Sequence, residues 1–175
     1  MRTLTDHLAQ YAAYHRDRRN IATHFVGIPM IVIAVIALLS RPAFLDVGIA
    51  VTPAVLVVLT ASVFYLVLDM RFGIAMAVLN VLLLWLGSWV AAQTTAVWLT
   101  TGIALFVIGW IIQFIGHYYE GRKPAFLDDI VGLIIGPLFV VAEAAFGLGL
   151  RDEVRQEIEK RAGPTHIRSK VATTG

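Results

Sequence analysis

Residues 72–92 read FGIAMAVLNVLLLWLGSWVAA, a stretch of 21 positions with one amide (Asn80), one hydroxyl (Ser88) and no charge. About 20 consecutive apolar residues are what a helix needs to cross the hydrocarbon core of a bilayer. This stretch therefore decides the fold: a helix in a membrane. Upstream, Asp69-Met70-Arg71 separates it from a second apolar run, Val47 to Leu68. Ser40-Arg41-Pro42 separates that run from another, Ile21 to Leu39, which contains Pro29. Downstream, Gln93-Thr94-Thr95 leads into Ala96 to Ile115. Such short joints make consecutive helices antiparallel neighbours. The expectation is an all-α, polytopic membrane helical bundle with four transmembrane helices.

Composition agrees. Of 175 residues, 58% are hydrophobic and 15% charged, against roughly 45–50% and 25% in a soluble domain. Mean hydropathy is +0.77. Soluble globular and disordered chains are excluded. Between Phe25 and Ile115 the charges are Arg41, Asp46, Asp69 and Arg71, so the basic residues flank the apolar body. The net charge of +2 therefore points to a lipid bilayer as partner and not to nucleic acid. The absence of cysteine excludes a disulfide scaffold, a thiolate metal site and a cysteine nucleophile. The first 24 residues are polar and amphipathic, predicting an amphipathic N-terminal helix and no cleavable leader.

A fifth apolar stretch, Ile130 to Leu150, contains Gly136-Pro137 and Glu143. Proline kinks a helix, and a carboxylate facing lipid is costly. This stretch reads as a kinked or re-entrant segment. Charge supports that: Arg2, Arg16, Arg18, Arg19, Arg71, Arg122, Lys123 and the basic residues after Leu150 share one side only if four segments span. Both termini are then cytoplasmic, in the inner membrane of a bacterium or the endoplasmic reticulum of a eukaryote. Residues 1–150 read as a single integral-membrane catalytic domain. Residues 151–162 read as a charged, solvent-facing helix ended by Gly163-Pro164, and the last dozen as a disordered tail.

Three of the five histidines, His15, His24 and His117, stand at edges of apolar runs. His15 and His24 are nine residues apart, about 900° on a continuous helix and hence on opposite faces. To share a site, the chain must bend between them. Asn20 is the expected bend, because asparagine caps a helix start, with one helix ending near Arg18. Gln113, His117 and Glu120 lie at i, i+4 and i+7, on one helix face. A glutamate and a histidine three apart can address one metal in a bundle, and Gly116 leaves room for a neighbouring helix. The topology brings the start of the first span and the end of the fourth to one interface. His15, His24, His117 and Glu120 are expected to meet there. Imidazole and carboxylate without thiolate suit iron, zinc or manganese. Each histidine alone fits an interfacial hydrogen-bonding role equally well; their convergence points to metal.

The remaining polar residues have simpler readings. His7 belongs on the wet face of the first helix and His166 in the solvated tail. Asp69 and Arg71 end a span at the headgroups, with Tyr65 as a hydrogen-bond partner for Asp69. Glu143 requires a partner, among Arg122, Arg71 or the metal. Asn80 bonds a neighbouring helix. Trp85, Trp89, Trp98 and Trp110 are lipid-facing or interfacial.

The pattern formed by Tyr14, His15, Asn20, His24, Gly27 and Pro29, followed by Trp110, Gln113, Phe114, Gly116, His117, Glu120, Pro124 and Ala125, resembles the 2-hydroxy fatty acid dioxygenase family. That family was long filed as a domain of unknown function, with fungal members in the endoplasmic reticulum and many bacterial members. The resemblance runs over roughly residues 5–150. It implies Fe(II)-dependent α-oxidation, in which a long-chain 2-hydroxy fatty acid and O2 give the acid one carbon shorter and carbon dioxide. In fungi this serves breakdown of a sphingoid base. The substrate supplies all four electrons that O2 takes, so no further redox cofactor is implied. The family's histidines carry over as His15, His24 and His117, with Glu120 as a further metal ligand. Arg122, Lys123 and Gln113 are then candidates for binding the substrate. Tyr14, Tyr118 and Asn20 are candidates for catalytic contacts, the tyrosines as hydrogen-bond donors to bound oxygen. Two other readings compete: a zinc-dependent membrane lipid hydrolase, and a small non-catalytic carrier using Glu143, Asp69 and Arg71. Membrane hydroxylases and desaturases usually carry many more histidines.

Overall fold

The computed structural model describes residues 2–41, 43–46, 50–124 and 131–168. Within them lie helices α1 (Leu4–Ala12), α2 (Arg18–Leu39), α3 (Pro53–Leu68), α4 (Met70–Ala91), α5 (Thr95–Glu120), α6 (Gly132–Gly147) and α7 (Asp152–Ala162). Two antiparallel two-residue strands, β1 (Leu45–Asp46) and β2 (Ala50–Val51), precede α3. The bundle is helical, as the apolar runs require.

Among the described residues, α2, α4 and α5 are long and apolar enough to cross a membrane, at 22, 22 and 26 residues. The expected second span is shorter than its apolar run. The chain forms the β1–β2 hairpin first, and α3 starts at Pro53 with 16 residues, about 24 Å of helix against a core of about 30 Å. The fifth apolar stretch forms α6, a single helix with Pro137 inside it, and the chain then turns by 115° into α7. Val47, Ile130, Ala125 and the part of the expected disordered tail from Ser169 onward lie outside the described residues; the first part of that tail, residues 164–168, is not disordered but docks against Arg16, Asp17 and Arg18.

The joints start the helices through side-chain caps. Thr3 and Asp6 form a capping box on α1. Asp17 caps α2, Thr52 caps α3 with Pro53 in its first turn, Asp69 caps α4, and Thr94 caps α5. Helices α2 and α5 pack most closely, along Gly102, Gly109 and Gly116 at seven-residue spacing on α5. A Cβ on Gly27 would stand 2.9 Å from the Gly109 carbonyl oxygen, and one on Gly109 3.0 Å from that of Gly27. Small residues let helices approach this way in lipid. Asn80 Nδ2 donates to Ser62 Oγ at 2.9 Å, joining α4 to α3 as expected. Trp85 and Trp89 are exposed on α4, whereas Trp98 donates from its indole to the Ala37 carbonyl.

The remaining elements gather at the end of the bundle that holds the start of α2 and the end of α5. Leu8 and Tyr11 of α1 pack with Phe139 of α6 and with Val154 and Ile158 of α7. So α7 is not simply solvent-facing: one stripe of it is core. His7 is half-buried with its ring edge against Phe64, and not on a wet face. At the bend before α7, Gly149 and Arg151 both take positive φ, 71° and 59°. Arg151 is held there by two bonds to the Asp69 carboxylate, at 2.9 and 3.0 Å, and lies over the Phe72 ring. Asp69 therefore pairs with Arg151. The Tyr65 hydroxyl donates instead to the Ile134 carbonyl at 2.7 Å. Arg161 meets Asp6 at 2.7 Å, so the first and last helices lie at the same end of the molecule.

Candidate metal centre

The bend that lets two histidines converge falls earlier than Asn20. Helix α1 ends at Ala12, residues 13–17 link it to α2, and the Asp17 carboxylate accepts from Arg19 N to start α2. Aspartate caps as well as asparagine, and Asn20 becomes a buried residue inside α2. His15 sits in the link, His24 in the second turn of α2, and His117 in the last turn of α5.

The three imidazoles are buried, at 0%, 1% and 6% exposure. Ring centroids are 4.5 Å apart for His15–His24, 4.9 Å for His15–His117 and 5.3 Å for His24–His117. One nitrogen from each lies within 4.8 Å of the others, a group that could hold a metal ion. The outer hydrogen bonds favour that use. His15 Nδ1 faces the Tyr11 carbonyl at 2.6 Å and His24 Nδ1 the Asn20 carbonyl at 2.8 Å. Each Nδ1 then carries the proton and leaves Nε2 as the lone-pair nitrogen, the usual outer bonding of a metal-bound imidazole. His15 Nε2 and His117 Nδ1 are buried without a hydrogen-bond partner, and such orphans call for an occupant. Burial, and then the neighbouring His24, hold the His15 imidazole well below its ordinary pKa of 6.5. It is neutral at pH 7, as a ligand must be.

Glu120 is drawn to a different task. Its carboxylate accepts from Arg16 N at 3.0 Å, Asp17 N at 2.8 Å and Asn20 Nδ2 at 3.0 Å. It lies outside the three-imidazole group and ties the end of α5 to the His15 link. Glu143 pairs with Arg16 at 3.7 Å, not with Arg122, Arg71 or the imidazoles.

A pocket opens beside the histidines between α2, α5 and α6. His24, His117, Tyr11 and Gln113 line one part of it, and Ile28, Ile31, Val32, Trp110 and Leu133 line apolar walls. Gln113 is buried with Nε2 unpartnered, so of the expected substrate contacts it is the one on the pocket wall. Arg122 donates to the Ala13 carbonyl at 2.7 Å, and Lys123 is exposed; neither lines the pocket. Tyr118 is 66% exposed with its ring edge on Tyr119, outside the pocket. Tyr14 is half-buried against the α1–α6 core, and its carbonyl accepts from Asn20. The tyrosine beside the centre is Tyr11, which sequence reasoning missed. Its ring stacks on His15 with centroids 4.1 Å apart and planes 7° apart. Burial raises its hydroxyl pKa far above the usual value, so it stays protonated. Its four-residue spacing from His15 was the available signal, obscured because α1 ends between them.

No solved structure matches the chain. The sequence is 33% identical over 158 residues, covering 89% of this chain and 87% of the relative, to the 2-hydroxy-palmitic acid dioxygenase MPO1 of Saccharomyces cerevisiae (strain ATCC 204508 / S288c). The family model described as 2-hydroxy-palmitic acid dioxygenase Mpo1-like matches residues 1–148, which include all three clustered histidines and every helix up to α6. The chain belongs to the Mpo1-like 2-hydroxy-palmitic acid dioxygenase family.

Proposed function

We propose that this protein is an Fe(II)-dependent dioxygenase that converts a long-chain 2-hydroxy fatty acid and O2 into the acid one carbon shorter, carbon dioxide and water. The observation that carries this reading is the set of three buried imidazoles beside an apolar pocket. His15, His24 and His117 would hold the iron, which supplies positions for O2 and for the hydroxyl and carboxylate of a chelating substrate. The chain's own residues do the rest. Gln113 Nε2 and the Tyr11 hydroxyl are the polar donors on the pocket wall, suited to the oxygen-rich head of the substrate. Ile28, Ile31 and Val32 follow His24 up α2 and give the acyl chain an apolar bed, leading to the depth where lipids partition. Burial of the imidazoles keeps bulk water from the reacting centre.

Basic residues such as Arg16, Arg18 and Arg122 lie at the end that carries the histidines, which supports a cytoplasmic reading of this end and of both termini. The test is metal content and O2 uptake of the purified protein in detergent, with 2-hydroxypalmitate and added Fe(II). One iron per chain, substrate-dependent O2 use and pentadecanoic acid as product are expected. Bound zinc without O2 use would replace this reading with a hydrolase, and no bound metal after anaerobic reconstitution with a carrier.

A further inference from the structure

Two of the three imidazoles are fixed by helices: His24 lies within α2 and His117 within α5. His15 is not. It belongs to the link 13–17: Ala13 N, Tyr14 N and His15 N still donate to carbonyls of α1, but the groups from Arg16 onward need partners elsewhere, because a buried unpaired group is costly. The structure accounts for those groups one by one. Arg16 N and Asp17 N donate to Glu120. The Arg16 carbonyl accepts from His166 N at 2.9 Å, and Arg18 N donates to the His166 carbonyl at 2.9 Å. From Arg16 to the start of α2 the backbone is thus paired with α5 through Glu120 and with the segment after α7 through His166.

That segment is anchored on both sides. Asp17 and His166 form a parallel bridge. The Arg16 guanidinium donates to the Gly163 carbonyl at 3.0 Å. Arg168 N donates to the Asp17 carboxylate at 2.8 Å, and Arg168 Nη1 to the Glu120 carbonyl at 2.7 Å. The last of these bonds an end carbonyl of α5 just where Gly121 turns out of the helix at φ 69°. The segment therefore joins the His15 link to the helix that carries His117. It lies beyond residues 1–148, the part of the chain the family model matches.

We propose that residues 163–168 are positioning residues for the three-imidazole centre, holding His15 at its distance from His24 and His117. They touch neither substrate nor metal and act through the Arg16–Arg18 backbone. The inference rests on the imidazole cluster as a metal site, and not on which reaction it performs.

The test uses the full-length protein in detergent, with Co(II) as the probe, followed by titration and by its visible absorption. His166→Pro removes the amide that bonds the Arg16 carbonyl. His166→Ala keeps that amide and removes an exposed ring. We expect His166→Pro to weaken Co(II) binding about 10–100-fold, the range for lost outer partners of a metal site, and to alter the absorption intensity. His166→Ala should bind like wild type. Arg168→Ala should weaken binding in the same direction, which keeps the test alive if the proline variant fails to fold. The melting temperature of each metal-free variant separates positioning from bulk stability. Wild-type Co(II) affinity in both His166→Pro and Arg168→Ala overturns the proposal. So does a loss of affinity that merely follows loss of the metal-free fold. Absence of Co(II) binding by the wild type removes the metal site itself, a different failure.

Discussion

Two regions of this bundle treat polar groups differently. In the middle of the bundle and toward Trp98, polar side chains pair singly: Asn80 with Ser62, and Trp98 with the Ala37 carbonyl, while large apolar side chains such as Trp85 face outward. At the end that carries the histidines, His15, Arg16, Asp17, Asn20, His24, Gln113, His117 and Glu120 are all buried together. In lipid, outward apolar surface is simply solvated, and close helix contact through glycines does the packing. Buried polar groups need partners and are costly without them. Their concentration at one end means that α1, α6, α7 and the tail serve as cover for a polar centre. The contrast marks the covered end, with its three clustered imidazoles, as the region in which to test for chemistry.

The sharpest way to break this contrast is at the imidazoles. His15→Ala, His24→Ala and His117→Ala should each reduce O2 uptake by more than the roughly 10–100-fold typical of outer partners, with the protein still inserted and extractable from membranes. Wild-type turnover by any one would remove it from the ligand set.

Next comes Glu120, whose carboxylate accepts from Arg16 N, Asp17 N and Asn20 Nδ2 and so ties α5 to the His15 link. Glu120→Ala leaves three donors without an acceptor and should cost about 3 kcal/mol, given ~1–3 kcal/mol for an unsatisfied buried group. Glu120→Gln keeps one acceptor oxygen and should cost about 1 kcal/mol. Thermal unfolding of the metal-free protein measures both. Equimolar metal in the Gln variant supports the tie; complete loss of metal in a stable Gln variant would return Glu120 to the ligand set.

Acidification tests the same end through His15. Its folded pKa lies below the unfolded value of 6.5, so the unfolded chain binds the proton first. The stabilisation is fully present above pH 6.5 and declines as pH falls below it. The metal-free protein should lose about 1 kcal/mol between pH 6.5 and 5.5 from this one group, and His15→Gln should remove that share of the total slope. An unchanged slope in that variant would show that His15 does not contribute to it.

How much of this was legible varies with the physical signal. The charge-free run 72–92, the flanking spans and the antiparallel order followed from composition, because lipid imposes a strong and local requirement. The convergence of His15, His24 and His117 followed from that order. The hairpin before α3 did not, since Val47, Ile49 and Val51 are as apolar as a span; the Thr52-Pro53 pair, a cap followed by a first-turn proline, was the signal that the helix begins there. Asp17 and Asn20 are both good caps, and only the packing chose between them. Glu120 shares a face with His117 but lies nearly a turn further on, where it meets the link and not the metal group. The docking of residues 163–168 is made largely by backbone groups, which composition does not encode. The same is true of Tyr11, placed by how α1 folds against His15.

The contact between α3 and α4 offers the smallest and cleanest prediction. Asn80 Nδ2 to Ser62 Oγ is an interhelical bond within the α3–α4 hairpin. Such bonds average only about 0.6 kcal/mol in membrane proteins, because the separated helices also find partners. Asn80→Leu should therefore lower stability by about that amount and leave metal content and O2 uptake unchanged. Glu120→Gln, by contrast, alters a bond network that reaches the His15 link. If Asn80→Leu instead reduced metal binding, the two regions would be coupled through α4, whose Phe72 and Met76 pack into the core that covers the centre. The independence of the α3–α4 contact from the covered end would then fail at that helix.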